Sequence, residues 1–221
     1  MDLTVAEAVA LQEELRRSVD VTDHDPTPPR YVAGLDVAYD GDEYAAAVVV
    51  LEVQRQEGSK GLHEVDRAVA LGRTSFPYVP GLFGFREVPG LVAALERLQV
   101  TPDLLVCDGQ GLAHPRRFGM ACHLGVVTGL PSIGVAKTSF VGDWQEPAAA
   151  RGSVSQLLLD GDVVGQVVRT QHGVKPVFVS VGHRVSLETA VARVLELSPR
   201  YRLPETTRAA DRACRDALAD R

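Results

Sequence analysis

The sequence predicts an α/β fold in which a mixed sheet is flanked by helices. Two observations support this prediction. Three consecutive extended segments, each bounded by Gly, Asp or Ser clusters, follow a proline-rich connection and have the character of antiparallel strands. Further along, two short, continuously apolar segments are separated by a helical stretch, which is the pattern of parallel strands joined by a crossover helix. The sheet is therefore expected to hold three antiparallel strands and then parallel strands.

The first part of the chain begins with a helix, predicted over residues 4–19. Thr4 and Glu7 have the spacing of a capping box, and the apolar residues Ala8, Leu11 and Leu15 follow at helical spacing. After the proline-rich connection at residues 23–30, strands are predicted at 31–40 (YVAGLDVAYD), 43–54 (EYAAAVVVLEVQ) and 63–76 (HEVDRAVALGRTSF). Pro89 then suits the first turn of a helix whose apolar stripe is Leu91, Val92, Leu95 and Leu98.

The second part supplies the parallel strands, predicted at 103–107 (DLLVC) and 132–136 (SIGVA), with a helical segment from Pro115 to about Thr128 between them. A loop is expected around Trp144. Strands at 153–159 and 162–168 flank an Asp-Gly pair, which is a strong signal for a two-residue hairpin, and one more strand is predicted at 175–181. Ser186 is expected to cap a helix, and Pro204 to begin the last helix, residues 204–219. An RNase H-like fold has these elements in this order.

Composition limits the class of protein. A chain of 221 residues with 45% hydrophobic content suits one sizeable core, so we expect a single domain over residues 1–221. A compact acidic domain without signals of an exposed patch is most simply a monomer. No stretch approaches the roughly 20 apolar residues of a membrane span, and the N-terminus lacks the features of an export signal. The three cysteines have no metal-binding spacing, which favours reduced thiols and the cytoplasm. Because the net charge is -6, nucleic-acid binding would need a local basic patch or a bound cation.

Asp108 is the first candidate for chemistry. It directly follows the apolar strand DLLVC and precedes Gly109, Gln110 and Gly111, whose glycines would let a metal, a phosphate or another backbone approach closely. Ligands of open α/β sheets bind beyond the carboxyl ends of the strands, where Asp108 is expected to lie. Lys137 ends the neighbouring strand and would open into the same crevice. A helix cap or Asx-turn for the aspartate and a solvated strand end for the lysine are the alternatives.

Three further carboxylates are candidates. Asp36 interrupts the apolar pattern of the first strand, where a buried charge needs a partner or a metal, unless it faces outward. Glu87 stands at the entry of a helix, where it could simply favour the helix N-terminus. Asp211 shares a face of the last helix with Cys214 and Leu218, so its carboxylate is expected to point toward the body of the protein.

Oxygen ligands without clustered Cys or His suit Mg²⁺ or Mn²⁺, and these ions with carboxylates indicate phosphoryl transfer. Basic residues near the glycine turn and near the strand at 175–181 support binding to phosphates, although such residues are also ordinary surface. They are His114, Arg116, Arg117, His183 and Arg184.

The segment PYVPGLFGFREVP, residues 77–89, is unusual because it gathers three aromatic residues, three prolines and two glycines around one Arg-Glu pair. This segment and five others, in order, resemble the endonuclease V family, the deoxyinosine 3′ endonucleases. The others are GLDVAYD, DGQGLAHPRRFGMACHLGV, PSIGVAKT, KPVFVSVGHRVS and YRLPETTRAAD, so the resemblance extends from about Val32 to Asp211.

The resemblance implies an RNase H-like fold and Mg²⁺-dependent nicking of nucleic acid that contains deaminated adenine. The cut falls at the second phosphodiester bond 3′ to inosine and leaves 3′-hydroxyl and 5′-phosphate ends, with Mn²⁺ able to substitute for Mg²⁺. By motif, Asp36 and Asp108 correspond to metal ligands, Glu87 to the third acidic ligand and Lys137 to the catalytic lysine. Asp211 falls where the family carries an Asp or His close to the metal.

The resemblance also implies substrate contacts. Tyr78 corresponds to the family's wedge, an aromatic ring inserted where the damaged base leaves the stack, and Gly81 would let the flipped base approach backbone amides. The other residues expected to contact substrate are Pro80, Leu82, Gly109, Gly111, His114, Arg116 and His183. The alternative is that Tyr78 and the Phe residues close a core under a Pro-rich turn. Gln110 departs from the His or Asn frequent in this turn, and PETTR from the usual PEPTR.

The expected partner is therefore DNA containing deoxyinosine, with inosine-containing RNA as an open second substrate. Two other functions are considered: a structure-selective RNase H-like nuclease or resolvase without base specificity, and a module that binds inosine without cutting. The carboxylates argue against a mere binding module, because negative charge beside phosphates would only weaken binding.

Overall fold

The computed structural model describes residues 3–25, 27–56 and 59–220. The helices in these residues are α1 (Val5–Arg16), α2 (Gly84–Leu95), α3 (Met120–Thr128), α4 (Leu187–Leu197) and α5 (Glu205–Ala219). The strands are β1 (Tyr31–Asp40), β2 (Glu43–Gln56), β3 (Ser59–Arg73), β4 (Leu104–Asp108), β5 (Ser132–Ala136), β6 (Asp143–Trp144), β7 (Val154–Leu159), β8 (Asp162–Val168) and β9 (Val177–His183). No helix in this described part is long and apolar enough to cross a membrane.

These strands form one sheet in the order β3-β2-β1-β4-β5-β9-β8-β7-β6. The first three strands are antiparallel neighbours, β1, β4 and β5 run parallel, and β9 is antiparallel to β5. The predicted mixed sheet is therefore confirmed. Because β1, β4 and β5 point the same way, their carboxyl ends reach the same edge of the sheet.

Helices cover both faces of this sheet. On one face, α2 and α3 pack against side chains such as Leu35 and Val48, and α1 packs on α3. On the other face, α5 packs against Ala47 and Val49, and α4 lies against the β4–β5–β9 region. Gly34 allows α5 to come close to β1, since a Cβ there would lie 2.0 Å from the carbonyl oxygen of Thr206.

Several local predictions are confirmed. The Thr4–Glu7 capping box is present, and the Ser186 hydroxyl accepts a hydrogen bond from the Thr189 amide. The Asp-Gly pair turns between β7 and β8 with φ angles of 53° and 86°, as a type I′ turn requires. The last helix follows Pro204 as expected.

The starts of two central helices were predicted wrongly. Helix α2 begins at Gly84, so Pro89 lies inside it rather than in its first turn; i to i+3 hydrogen bonds before Gly84 already start the helical path. Pro89 lacks an N–H, and the chain accepts the loss of one helical hydrogen bond there. Helix α3 begins at Met120 rather than Pro115, because Arg117 has a left-handed φ of 54° that a right-handed helix cannot contain.

Smaller differences concern lengths. Helix α1 ends at Arg16, three residues before the predicted end at residue 19. The ribbon of β2 and β3 is longer than predicted at its turn, and the expected loop around Trp144 contains the short strand β6, which pairs with β7.

Candidate active site

Three predicted catalytic residues stand at the edge where the parallel strands end. Asp36 lies in β1, Asp108 is the last residue of β4, and Lys137 directly follows β5. The Lys137 Nζ donates a hydrogen bond of 2.5 Å to the Asp108 Oδ2. Both side chains line a cavity of about 370 Å³, which we call the carboxylate cavity. The crevice predicted from the strand ends is thus present.

Helix α5 brings Asp211 to the same cavity. The inward face predicted for this helix is confirmed, because Cys214 is buried and packs with Ala210 and Ala213 against β2. An oxygen of Asp211 lies 2.9 Å from Arg215, a partner on its own helix. The tight approach of α5 to β1 at Gly34 is what carries this carboxylate toward Asp36.

Asp36 is a largely buried carboxyl group among like charges. It lies opposite Ala47 in the β1–β2 ladder, on the face that α5 covers. Burial, followed by the charge of Asp108, raises the pKa of Asp36 to about 7, although a hydrogen bond from the Val37 amide acts against this rise. The alternative of an outward-facing strand residue therefore does not hold.

Glu87 approaches from the other face of the sheet. It lies in the first turn of α2 and only 4% of it is exposed. Burial raises the pKa of Glu87 well above its usual range, and the charges of Asp36 and Asp108 add to this effect. A role limited to favouring the helix N-terminus would not require a buried carboxyl group beside two others.

The carboxylates of Asp36, Glu87 and Asp108 are the candidate ligands for a metal ion. In residues 3–25, 27–56 and 59–220, no three His, Cys, Asp or Glu side chains are grouped closely enough to hold an ion as they stand. One oxygen of Asp108 is engaged by Lys137, and one of Asp36 by a backbone amide. The donors are nevertheless all oxygens, and burial, with the nearby carboxylates, raises the pKa values of Asp36 and Glu87, an effect that a bound cation would oppose. The set fits a hard divalent cation by donor type and charge.

A second cavity, of about 200 Å³, adjoins the first and shares Asp108 with it. We call it the base cavity. Of the residues predicted to contact substrate, those that line it are Tyr78, Pro80, Gly81, Gly109 and His114. Its wall also includes residues that the sequence did not suggest: Gln12, Phe83, Phe118, Met120, His123 and Phe140.

Tyr78 stands at this cavity with 69% of its surface exposed, and its ring meets Phe83 edge to face at 6.0 Å. The alternative that Tyr78 closes a core is therefore excluded. That role belongs to Phe76 and Phe85, whose rings pack together at 5.6 Å.

His114 is a neutral wall of the base cavity rather than a cation. Burial, followed by the nearby charge of Arg116, lowers its pKa to about 4. Its ring packs against Phe140 at 5.7 Å. It precedes α3 instead of opening it, so the expected basic helix start is absent here.

Three predicted substrate residues lie elsewhere. Leu82 is buried in a small core with Ala8 and Phe76. Gly111 packs against β9, where a Cβ would lie 2.0 Å from the Val181 carbonyl oxygen. His183 pairs with Ser132 at the opposite end of β5 from Lys137, because β9 is antiparallel to β5, and its Nδ1 accepts a hydrogen bond from the Asp20 amide.

Gln12 of α1 is the functional candidate that the sequence did not indicate. Its buried amide donates to the carbonyl oxygens of Gly81 at 3.0 Å and of Phe118 at 2.8 Å, and accepts from Arg116. Arg116 in turn donates to the Gly81 carbonyl at 2.7 Å. Gln12 and Arg116 therefore join two backbone segments of the base cavity, and Arg116 is committed to this wall. In the sequence, Gln12 is marked out only by its spacing of four from Ala8, which places both residues on one face of the predicted helix. The structure shows that this face is buried.

The chain is similar to known proteins over nearly its whole length. A family model described as Endonuclease V matches residues 13–212. A protein named Endonuclease V from Nocardia farcinica is 56% identical over 219 residues, which cover 97% of this chain and 93% of that protein.

Solved structures are also similar. The crystal structure of Endonuclease V from Streptomyces avermitilis has a TM-score of 0.92 and 54% identity, covering 99% of this chain and 95% of that one. Endonuclease V from Ciona intestinalis, in complex with a 24mer DNA containing an inosine followed by a ribo-adenosine, has a TM-score of 0.80 and 28% identity, covering 98% of each chain.

Proposed function

This chain belongs to the endonuclease V family, and we propose that it nicks DNA at the second phosphodiester bond 3′ to deoxyinosine, leaving 3′-hydroxyl and 5′-phosphate ends. It is a DNA repair endonuclease, a metal-dependent hydrolase. The observation that carries the proposal is the pair of adjoining cavities that share Asp108. One has an exposed aromatic ring at its wall, and the other collects carboxylates and a lysine. Family membership disfavours the resolvase and the binding module.

We propose Mg²⁺ as the ion, with Mn²⁺ able to substitute, and Asp36, Glu87 and Asp108 as the residues that hold it. When bound, the cation polarises the scissile phosphate and lowers the pKa of an attacking water. The raised pKa values of Asp36 and Glu87 support this assignment, because a cation would relieve the repulsion among the three groups.

Lys137 and Asp211 complete the proposed machinery. Burial alone would lower the pKa of Lys137, but its hydrogen bond to Asp108 raises the pKa above the usual value, so the amine is protonated at neutral pH. It can donate a hydrogen bond to a non-bridging phosphate oxygen. The Asp211 carboxylate lines the same cavity and can accept the proton that the attacking water loses. The water oxygen bonds to phosphorus, the bond to the 3′ oxygen breaks, and that oxygen takes up a proton.

Recognition is assigned to the base cavity. Tyr78 would fill the space that the flipped base leaves in the stack, recovering part of the few kcal/mol that flipping costs. Gly81, with a left-handed φ of 81°, turns the backbone at the cavity wall, and the neutral His114 offers a face without charge. We further propose that the chain is a single-domain, cytoplasmic monomer, with inosine-containing RNA as a second substrate to be tested.

Cleavage of a deoxyinosine duplex with and without Mg²⁺ tests this function. We expect nicking only with the ion, loss of at least about 100-fold in kcat for Asp108→Asn with binding retained, and normal activity for the exposed Asp143→Asn. Matched DNA and RNA oligonucleotides compare the two substrates. A fully active Asp108→Asn variant would refute the metal assignment.

Tyr78→Ala tests the recognition half. Because the ring is largely exposed, stability should change by less than about 0.5 kcal/mol. The preference for deoxyinosine over deoxyadenosine, measured as the ratio of kcat/KM values, should fall at least about 10-fold, since a stacking contact is worth about 1–3 kcal/mol. Unchanged discrimination would remove Tyr78 from recognition.

A further inference from the structure

A third cavity, of about 1010 Å³, lies along α5 on the side away from the base cavity. We call it the helix groove. Its walls come from the β2–β3 ribbon, from the segment after α4 and from α5, and include Arg55, His63, Arg200, Arg208 and Arg212. The groove shares Arg208 and Arg212 with the carboxylate cavity. These two residues are about one helical turn apart, so the two cavities are continuous along the helix.

The arginines of this groove differ in how far they are already engaged. Arg55 is fixed by two hydrogen bonds to Glu196, at 2.7 Å and 3.0 Å, and so forms a wall. Arg208 lies over the Tyr201 ring at 3.7 Å, which holds its guanidinium in place. Arg200 and Arg212 are exposed, and neither forms an ion pair with any residue that the structure describes. Two exposed arginines of the described residues thus have no acidic partner, in a chain whose net charge is -6.

The order of the cavities gives the groove a direction. The base cavity and the carboxylate cavity share Asp108, and the helix groove continues from the far side of the carboxylate cavity. A bound strand with its flipped base beside Tyr78 and its scissile phosphate beside Lys137 would therefore continue toward α5. Because the cut is 3′ to the lesion, the part of the strand that reaches the helix groove is the part 3′ of the cut.

The α5 wall of the groove suits a short stretch of strand. Its arginines, Arg208 and Arg212, are four residues apart, which is about 6 Å of helix. A stacked strand advances about 3.4 Å per phosphate, so this wall matches about two nucleotides.

We propose that the helix groove binds the phosphate backbone of the substrate strand on the 3′ side of the cut, with Arg200 and Arg212 as its exposed phosphate contacts. The inference rests on the proposed function, since it takes the direction of the strand from the position of the cut. Acidic residues on the walls, such as Glu64 and Glu205, would keep the contact weak enough for the product to leave.

The test compares the double variant Arg200→Gln/Arg212→Gln with wild type on deoxyinosine duplexes that extend roughly 2 or roughly 12 nucleotides 3′ of the cut. A third duplex is lengthened only on the 5′ side. The matched control is Arg17→Gln, an exposed arginine after α1, on the other face of the sheet.

For wild type, kcat/KM should rise with the 3′ extension, and this gain should shrink as salt increases. In the double variant, the increase in kcat/KM that the 3′ extension gives should be about 10-fold smaller than in wild type. The slope of log kcat/KM against log salt should become less steep by about 1–2, near one for each lost phosphate contact. Arg17→Gln should keep both the gain and the slope.

The proposal would be overturned if the double variant kept the full increase in kcat/KM from the 3′ extension. It would also be overturned if the double variant lost the increase from the 5′ extension and not the one from the 3′ extension. Failure of wild type to cut even the short deoxyinosine duplex is a different result, which would overturn the proposed function and not this assignment alone.

Discussion

At the scale of single residues, the candidate site places carboxyl groups close enough for their charges to repel one another. The pKa of Asp36 rises from 3.8 to about 7, first because the group is buried and second because Asp108 is near. A folded-state pKa above the unfolded value means that the folded protein holds the proton more tightly. This contribution to stability is full below about pH 4 and is lost as pH rises through about 7.

The metal-free protein should therefore lose stability between about pH 4 and pH 7, and Asp36→Asn should lose less because Asn does not ionise. We expect the two pH profiles to diverge by about 2 kcal/mol across this window. Urea unfolding in the presence of a chelator measures the difference, and adding Mg²⁺ at pH 8 should stabilise wild type more than the variant. If the free energy of unfolding of wild type and of Asp36→Asn changed with pH in the same way, protonation of Asp36 would not be coupled to folding.

Gln12→Met tests the wall of the base cavity, because Met has a similar size but cannot donate to the Gly81 and Phe118 carbonyls. The Phe118 carbonyl would lose its hydrogen bond and Arg116 its acceptor on Gln12, while the Gly81 carbonyl would keep Arg116, so the change should cost about 1–3 kcal/mol of stability. Selectivity for deoxyinosine, as a ratio of kcat/KM values, should fall about 10-fold while Mg²⁺ dependence is kept. The exposed Glu13→Gln on the same helix is the control, and equal losses on deoxyinosine and on ordinary bases would mean that Gln12 is structural only.

At the scale of elements, local patterns predicted most strands and the starts of α1, α4 and α5 well, but they misplaced the starts of the two central helices. The strands at 31–40 and 132–136 have their predicted bounds, since alternation or continuous apolarity fixes a strand locally. The starts of α2 and α3 depend on a proline accepted inside a helix and on a left-handed Arg117, and neither is encoded in local spacing. His183 was expected to contact substrate, but it lies at the other end of β5 from Lys137 because β9 is antiparallel to β5. The sequence does not give the direction of β9, since that direction depends on its pairing with β5.

Gly34→Ala tests how the elements place Asp211. The added Cβ would lie 2.0 Å from the Thr206 carbonyl oxygen, so α5 must move away from β1. We expect a loss of roughly 2–4 kcal/mol in the free energy of unfolding, typical of overpacking against backbone. The kcat should fall even below the melting temperature, because Asp211 moves with the helix. A variant with wild-type kcat and stability would show that this close approach does not matter.

At the scale of the whole molecule, the site joins both helical layers across one sheet edge. The strands carry Asp36 and Asp108, one layer contributes Glu87 and the other Asp211. Each carboxylate could be suspected from sequence, but their convergence depends on strand order and on helix packing that single segments do not specify. The base cavity was less predictable, since Gln12 reaches it from a helix far away in sequence.

A crystal of the protein grown with Mn²⁺ tests the central claim most directly. We predict an anomalous density peak in contact with carboxylate oxygens of both Asp36 and Asp108, with Glu87 nearby. A well-ordered site in that crystal with no ion touching Asp36 and Asp108 would contradict the claim.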